Sequence, residues 1–180
     1  IQPLVGNAKI EAGFRLNDRH VRNDYIVEEQ GEGGDYFTLT NFTNDFTYDE
    51  GIYAAYGIYS NEFDRFSYQA GLRFERTEIH TFLEQTDQEN TQTYNNLFPS
   101  VNLSYKLNDI NSLQASYSKR ISRPRFRSLN PFFSFSDARN IRTGNPNLQP
   151  EFTDSYEMGL LQNLDKSTMY YSVYYRYTVG

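Results

Sequence analysis

Between Phe66 and Glu75 apolar and polar side chains alternate without a break, and that period of two constrains the fold more than anything else in the chain. Phe66, Tyr68, Ala70, Leu72 and Phe74 fall on one side, with Ser67, Gln69, Gly71, Arg73 and Glu75 on the other. A β-strand turns successive side chains to opposite faces, so this run predicts a strand with one greasy and one wet face. Val101, Leu103, Tyr105 and Leu107 repeat the pattern, as do Leu113, Ala115 and Tyr117, and then Met169, Tyr171, Val173, Tyr175, Tyr177 and Val179. Residues 52–59 and 156–160 read as strands with small residues on both faces, and Ile10, Ala12, Phe14 and Leu16 mark an opening strand. The expectation is seven strands and no helix.

Connections between these strands alternate in length. Asn61 to Asp64, Asn108 to Asn111 and Asn163 to Lys166 are short Asn/Asp-rich turns. Residues 17–49, 80–96 and 122–153 are long connections. The first is predicted to continue its flanking strands as a projecting hairpin, because Gln30-Gly31-Glu32-Gly33-Gly34 is a strong turn signal between Val27 and Phe37. Short turns at one end and long loops at the other match an up-and-down barrel of the outer-membrane type. Nine strand residues at about 3.3 Å rise and about 45° tilt cross roughly 20 Å, close to the apolar band of such a barrel. A soluble β-sandwich or an eight-stranded ligand barrel shares the alternation and stays open on pattern alone.

Composition narrows the choice. Thirty rings, 16 Tyr and 14 Phe, sit in a chain of mean hydropathy -0.74, which excludes simple disorder and asks for a surface to bury them against. No run approaches the roughly 18 apolar residues of a membrane helix. The net charge of -6 argues against a nucleic-acid partner, and the lack of Cys removes disulfides and thiolate chemistry. The chain opens at Ile1 and stops at Val179-Gly180 inside a strand-like run, which predicts a piece of a longer polypeptide, with a processed mature protein as the alternative.

The third long connection carries the most specific signal. Ser118-Lys119-Arg120-Ile121-Ser122-Arg123-Pro124 is followed by Leu129-Asn130-Pro131-Phe132, then Asp137 and Asn140. Thr143-Gly144-Asn145-Pro146-Asn147-Leu148-Gln149-Pro150-Glu151 then leads into Ser155-Tyr156-Glu157-Met158-Gly159. This series resembles the barrel signature of TonB-dependent outer-membrane receptors, in the Bacteroidetes-type outer-membrane β-barrel group. Gly71-Leu72-Arg73-Phe74-Glu75-Arg76-Thr77 and the Glu50, Tyr53-Ala54-Ala55-Tyr56 stretch resemble the same group's neighbouring strands, so the likeness covers residues 9–180.

The resemblance implies an all-β antiparallel meander, residues 1–180 forming part of the wall of a plugged barrel of about 22 strands. It also implies uptake of a scarce ligand such as a ferric siderophore, a glycan or a peptide. Implied partners are outer-membrane lipid, a plug domain and an inner-membrane energy-coupling complex. This sequence contains no plug domain and no coupling box, and seven strands cannot close such a barrel. The rival reading is an outer-membrane structural or assembly barrel without transport, and a soluble ligand-binding barrel is a third.

Candidate site residues follow from charge and parity. Arg120, Arg123, Arg125 and Arg127, with Arg139 and Arg142 beyond, could capture an anionic ligand at the outer mouth. Contact with anionic surface lipid, or a solvated loop balanced by nearby acids, is the commoner role of such a cluster. Arg73, Glu75, Lys106, Glu157 and Arg176 lie on polar strand faces and are expected to point into the lumen, touching a plug or pairing along a hydrated wall. Pro124, Pro131, Pro146 and Pro150 stiffen the loop and bar it from pairing as a strand. Phe132, Phe133 and Phe135 either pack that loop or stack on a ligand. Tyr25, Tyr36, Tyr94 and Tyr177 are assigned to interfacial positions near strand ends. His20 and His80 are the sole histidines, and no residue spacing supports catalysis, a metal centre or a cofactor.

Overall fold

The computed structural model describes residues 2–3, 6–132, 134–137 and 140–180. Its strands are β1 (Gln2–Pro3), β2 (Lys9–Tyr25), β3 (Glu28–Gln30), β4 (Tyr36–Thr38), β5 (Asn44–Glu62), β6 (Phe66–Leu83), β7 (Gln88–Lys106), β8 (Asn111–Ser122), β9 (Ser134–Asp137), β10 (Asn140–Arg142), β11 (Glu151–Leu164) and β12 (Ser167–Val179). One short helix, α1 (Phe126–Leu129), lies in the loop after β8. Eight strands form one antiparallel sheet in the order β1-β2-β5-β6-β7-β8-β11-β12, which contains all seven expected strands plus the two-residue β1. The expected projecting hairpin is present: Glu28 pairs with Thr38 and Gln30 with Tyr36.

The 80–96 connection is not a loop. β6 runs on to Leu83 and β7 starts at Gln88, with a single turn at Glu84–Thr86 and Asp87 in the left-handed region at φ 52°. Register explains why the alternation misled. Residues directly opposite in antiparallel strands share a face, so the pairs define continuous rows across the sheet. Phe14, Ala55, Phe74 and Leu97 make one row, and Ala70, Val101, Tyr117, Tyr156 and Tyr175 another. These rows form the apolar face, whose side chains stay exposed: Phe14 is 81% exposed and Val173 79%. A continuous apolar surface of this extent needs a non-aqueous neighbour. Its rings also meet one another, with centroids 4.9 Å apart for Tyr117 and Tyr156.

Further from the short turns the two faces exchange character. On the previously apolar side Leu72 and Phe74 give way to Arg76, Glu78 and His80, and Phe14 and Leu16 to Asp18, His20 and Arg22. The opposite side, which begins as Gln69, Gly71 and Arg73, becomes Thr77, Ile79, Thr81 and Leu83, all buried, facing Phe46 and Tyr48 of β5. The buried core of the described chain therefore lies on the polar face, at the long-loop end of the strands, under the connection between β8 and β11.

Candidate functional site

That connection folds back over the sheet. Leu129 from α1 is 1% exposed and joins Phe46, Tyr48, Ile79 and Leu83, with Phe126, Phe132, Val21 and Tyr94 packed against the cluster. Fully burying one leucine side chain contributes about 1.5–3 kcal/mol, so α1 is an anchor although it spans a single turn. Tyr94 thus packs inward, away from the interfacial position assigned to it from sequence, and its hydroxyl is buried beside Thr77.

The proline- and glycine-bearing motif holds the loop's two halves together. The Gly144 amide donates to the Asn130 carbonyl at 2.8 Å and the Asn145 amide to the Ser128 carbonyl at 2.8 Å. Thr143 Oγ1 donates to the Pro131 carbonyl at 2.7 Å. A Cβ at position 144 would lie 2.5 Å from the Ser128 oxygen and 2.6 Å from the Asn130 oxygen, which is why glycine stands there. Asn145 and Asn130 each turn a side-chain oxygen to a local amide, of Asn147 and Phe132 respectively. Two side chains of β7 then clamp the turn: Asn90 Nδ2 and Gln92 Nε2 donate to the Pro146 carbonyl at 2.9 and 2.5 Å.

Arg123 is the electrostatic tie. Its guanidinium pairs with Glu75 and donates to Thr77 Oγ1 at 3.0 Å. Side-chain exposure is 18% for Arg123 and 8% for Glu75, so the pair is shielded from water. Burial pulls the Arg123 pKa below its ordinary value, with Glu50 opposing that shift. Arg73 Nε lies 3.4 Å from the other Glu75 oxygen and its guanidinium stacks 4.7 Å from the Phe98 ring.

The other candidate residues are distributed as follows. Arg120 is exposed on the polar face, opposite Thr153, and with Arg73 and Phe98 lines a shallow cleft of about 540 Å³. Arg125 and Arg127 are exposed on the loop, and Arg127 lies 5.9 Å from the Phe126 ring centroid. Arg142 is exposed at the end of β10, while Arg139 and Phe133 lie outside the described residues. Arg73, Glu75, Lys106, Glu157 and Arg176 share the polar face by register. Lys106 pairs with Glu62 at 3.2 Å, Glu157 accepts from Tyr170 at 3.0 Å, and Arg176 lies 4.8 Å from the Tyr174 ring.

Arg127 and Arg142 both line a recess of about 750 Å³ between the loop and the outer ends of β2 and β5. Sequence reasoning missed Asn90, Gln92, Glu50, Thr77 and Asn44, which the fold brings to the loop from more than 40 residues away. The signal was the alternation Phe46, Tyr48, Glu50 against Thr47 and Asp49, whose apolar side is opposite to that of residues 66–74. His20 and His80 sit on the outward side: His20 Nδ1 lies 2.5 Å from Asp49 and His80 Nε2 2.8 Å from Glu89. Among the described residues no group of three or more His, Cys, Asp or Glu is disposed to hold a metal ion.

A one-sided apolar band on a meander with short turns at one end defines a segment of transmembrane β-barrel wall. The chain belongs to the outer membrane protein beta-barrel family, whose profile matches residues 1–180, and its place is the bacterial outer membrane. Among solved structures it is similar to the copper transporter OprC, at TM-score 0.68 and 16% identity over 96% of this chain and 28% of that one. It is also similar to the ferric yersiniabactin uptake receptor FyuA from Yersinia pestis, at TM-score 0.63 and 15% identity over 98% of this chain and 27% of that one. The ferric citrate transporter FecA in its unliganded form gives TM-score 0.59 and 16% identity, over 96% and 25%. This chain therefore spans about a quarter of the length of those proteins. A comparison with individually curated proteins gives no match.

Proposed function

We propose that these residues form part of the wall and extracellular capture surface of a TonB-dependent receptor that imports a scarce ligand. In this reading a plug domain and an energy-coupling partner belong to the remainder of the receptor. The polar face lines the lumen, where Arg73, Glu75, Lys106, Glu157 and Arg176 are solvated or meet the plug. Arg120, Arg125, Arg127 and Arg142 form the basic rim that receives the ligand, and Arg123 locks that rim to the wall.

One observation carries the proposal: the β8–β11 loop is a constructed element, stitched to itself and to three strands, over a basic cavity at the outer end of the lumenal face. Similar structures bear names of transporters and receptors for metal or its chelates, which is the ligand class a coupled receptor serves. The test is uptake of a labelled ligand by cells carrying the full-length receptor, before and after the proton gradient is collapsed. Uptake should stop on collapse. A full-length gene without a plug, or entry indifferent to the gradient, would favour the structural-barrel reading instead.

A further inference from the structure

The hairpin of β3 and β4 rises at the border of the arginine-lined recess. Tyr25, the last residue of β2, and Asn44, the first of β5, both line that recess, and the hairpin leaves from one and returns to the other. It does not continue the wall. The β2–β5 ladder ends at the pair Tyr25–Asn44, and pairing resumes at Glu28–Thr38 in a separate two-stranded sheet. Between the two sheets the stem is tied by the Leu39 amide, which donates to the Val27 carbonyl at 2.8 Å, and by the Val27 amide, which donates to Thr43 Oγ1 at 3.3 Å. Charge sets hairpin and loop apart. Residues 26–43 carry Glu28, Glu29, Glu32 and Asp35 and no Lys, Arg or His. In the loop between β8 and β11, described residues 124–143 carry Arg125, Arg127 and Arg142 against Asp137 alone. Among the described residues, none of the four hairpin acids and none of these three arginines has an ion-pair partner.

We infer that the hairpin folds down over the recess, laying Glu29 and Phe37 on Arg127 and Phe126, and there acts as an internal anion that a ligand must displace. Glu29 and Phe37 are directly opposite in the hairpin and so share one of its faces. Arg127 and the Phe126 ring, 5.9 Å apart, present the matching guanidinium and ring on the loop. Carboxylate on guanidinium gives a charge-assisted contact, and ring on ring removes apolar surface from water. The hairpin has reason to move. A two-stranded hairpin with three-residue strands is marginal in water without a surface to pack on, and Ile26, Tyr36 and Phe37 are all exposed. The break in pairing between Tyr25 and Glu28 lets it pivot while β2 and β5 keep every ladder bond. The inference goes beyond the receptor reading, needing only that hairpin and loop share one end of the wall. A ligand then enters the recess only by outcompeting the four acids for the same guanidiniums.

The experiment places spin labels on the full-length receptor in detergent, through Gly33→Cys at the hairpin tip and Ser128→Cys on α1, and reads their separation by pulsed electron paramagnetic resonance. A short-distance population should dominate at about 0.05 M salt and recede at about 0.5 M, where the screening length has fallen from about 14 Å to about 4 Å. Glu28→Gln, Glu29→Gln, Glu32→Gln and Asp35→Asn together should abolish it at both salts. All four side chains are exposed, so their change leaves the barrel intact. Exchanging the charges, with Lys at those four positions and Glu at 125, 127 and 142, should restore it. A second readout is modification of Arg127 by phenylglyoxal, mapped by mass spectrometry at the lower salt. It should run about fivefold faster in the neutral-hairpin variant than in the unmodified receptor. A single long distance that ignores salt overturns the inference, as does a short population that survives in the neutral variant or fails to return on charge exchange. Equal Arg127 reactivity in the two proteins overturns it as well. Gradient-dependent uptake is a separate measurement, so the hairpin inference and the receptor reading fail independently.

Discussion

At the scale of single residues, the pair formed by Arg123 and Glu75 holds the loop by a contact that fails when half of it is removed. Alanine at position 123 leaves the Glu75 carboxylate buried beside Thr77 with Arg73 Nε 3.4 Å away as its remaining cation. Breaking a buried pair in this manner costs about 3–5 kcal/mol, whereas replacing both partners by apolar side chains of similar volume is often neutral. We expect Arg123→Ala to release the loop, read as new protease cleavage between Pro124 and Pro150 on intact cells. Arg123→Met combined with Glu75→Met should restore most of the protection. A wild-type cleavage pattern for Arg123→Ala would show that the pair does not hold the loop. Gly144 behaves differently, since what excludes a side chain there is main-chain oxygen, which cannot swing aside. The sequence motif displayed both residues, yet it could not show their partners. Glu75 is 48 residues from Arg123, and Asn90 is 56 from Pro146.

Strands carry the next lesson. Their existence and inward–outward sense were legible wherever one face met lipid and the other met water, as in residues 66–75 and 113–118. Their true lengths were not, because beyond the apolar band the greasy side changes hands and a window spanning the change shows no clean period. Residues 80–83 and 88–96 therefore looked like loop while continuing β6 and β7. β12 offers a sharp check of face assignment. Tyr174 and Tyr175 are 64% and 63% exposed, so accessibility does not separate them, but register puts Tyr175 beside Tyr156 and Tyr174 beside Glu157. This chain contains no Trp. In bilayers of brominated lipid, the fluorescence added by Tyr175→Trp should be strongly quenched and that added by Tyr174→Trp should not. Equal quenching of the two would mean that the faces are wrongly assigned.

For the whole molecule, the border where outward side chains turn charged runs obliquely across the sheet. On β2 it is reached at Asp18, which shares a row with Gly51 of β5 and Glu78 of β6. On β11 it is reached at Asp154, one position beyond the row of Ser155, Ser118, Ser100 and Gly71. The border has thus moved by six residues along the strands while crossing five strand spacings. At about 3.3 Å per residue and about 4.8 Å per strand, the strands incline by about 40° to the bilayer normal, within the about 35–45° of outer-membrane barrels. Polarised infrared spectroscopy of the full-length barrel in oriented bilayers should return that inclination. A value near zero would detach the charged border from the membrane surface. None of this could be read before the register was known, because the obliquity resides in which residues are neighbours.

The exchange of faces also sets a height. On β2 the strand climbs from Asp18 to Tyr25 beyond the charged border, which at that inclination is about 18 Å above it. Tyr25 lines the arginine-bearing cavity, so that recess stands at the level of the inner sugars of the outer leaflet instead of at the lipid surface. The recess is therefore approached from the medium through the outer polysaccharide and not through the bilayer, so the length and density of that sugar layer set how large a molecule can come up to it.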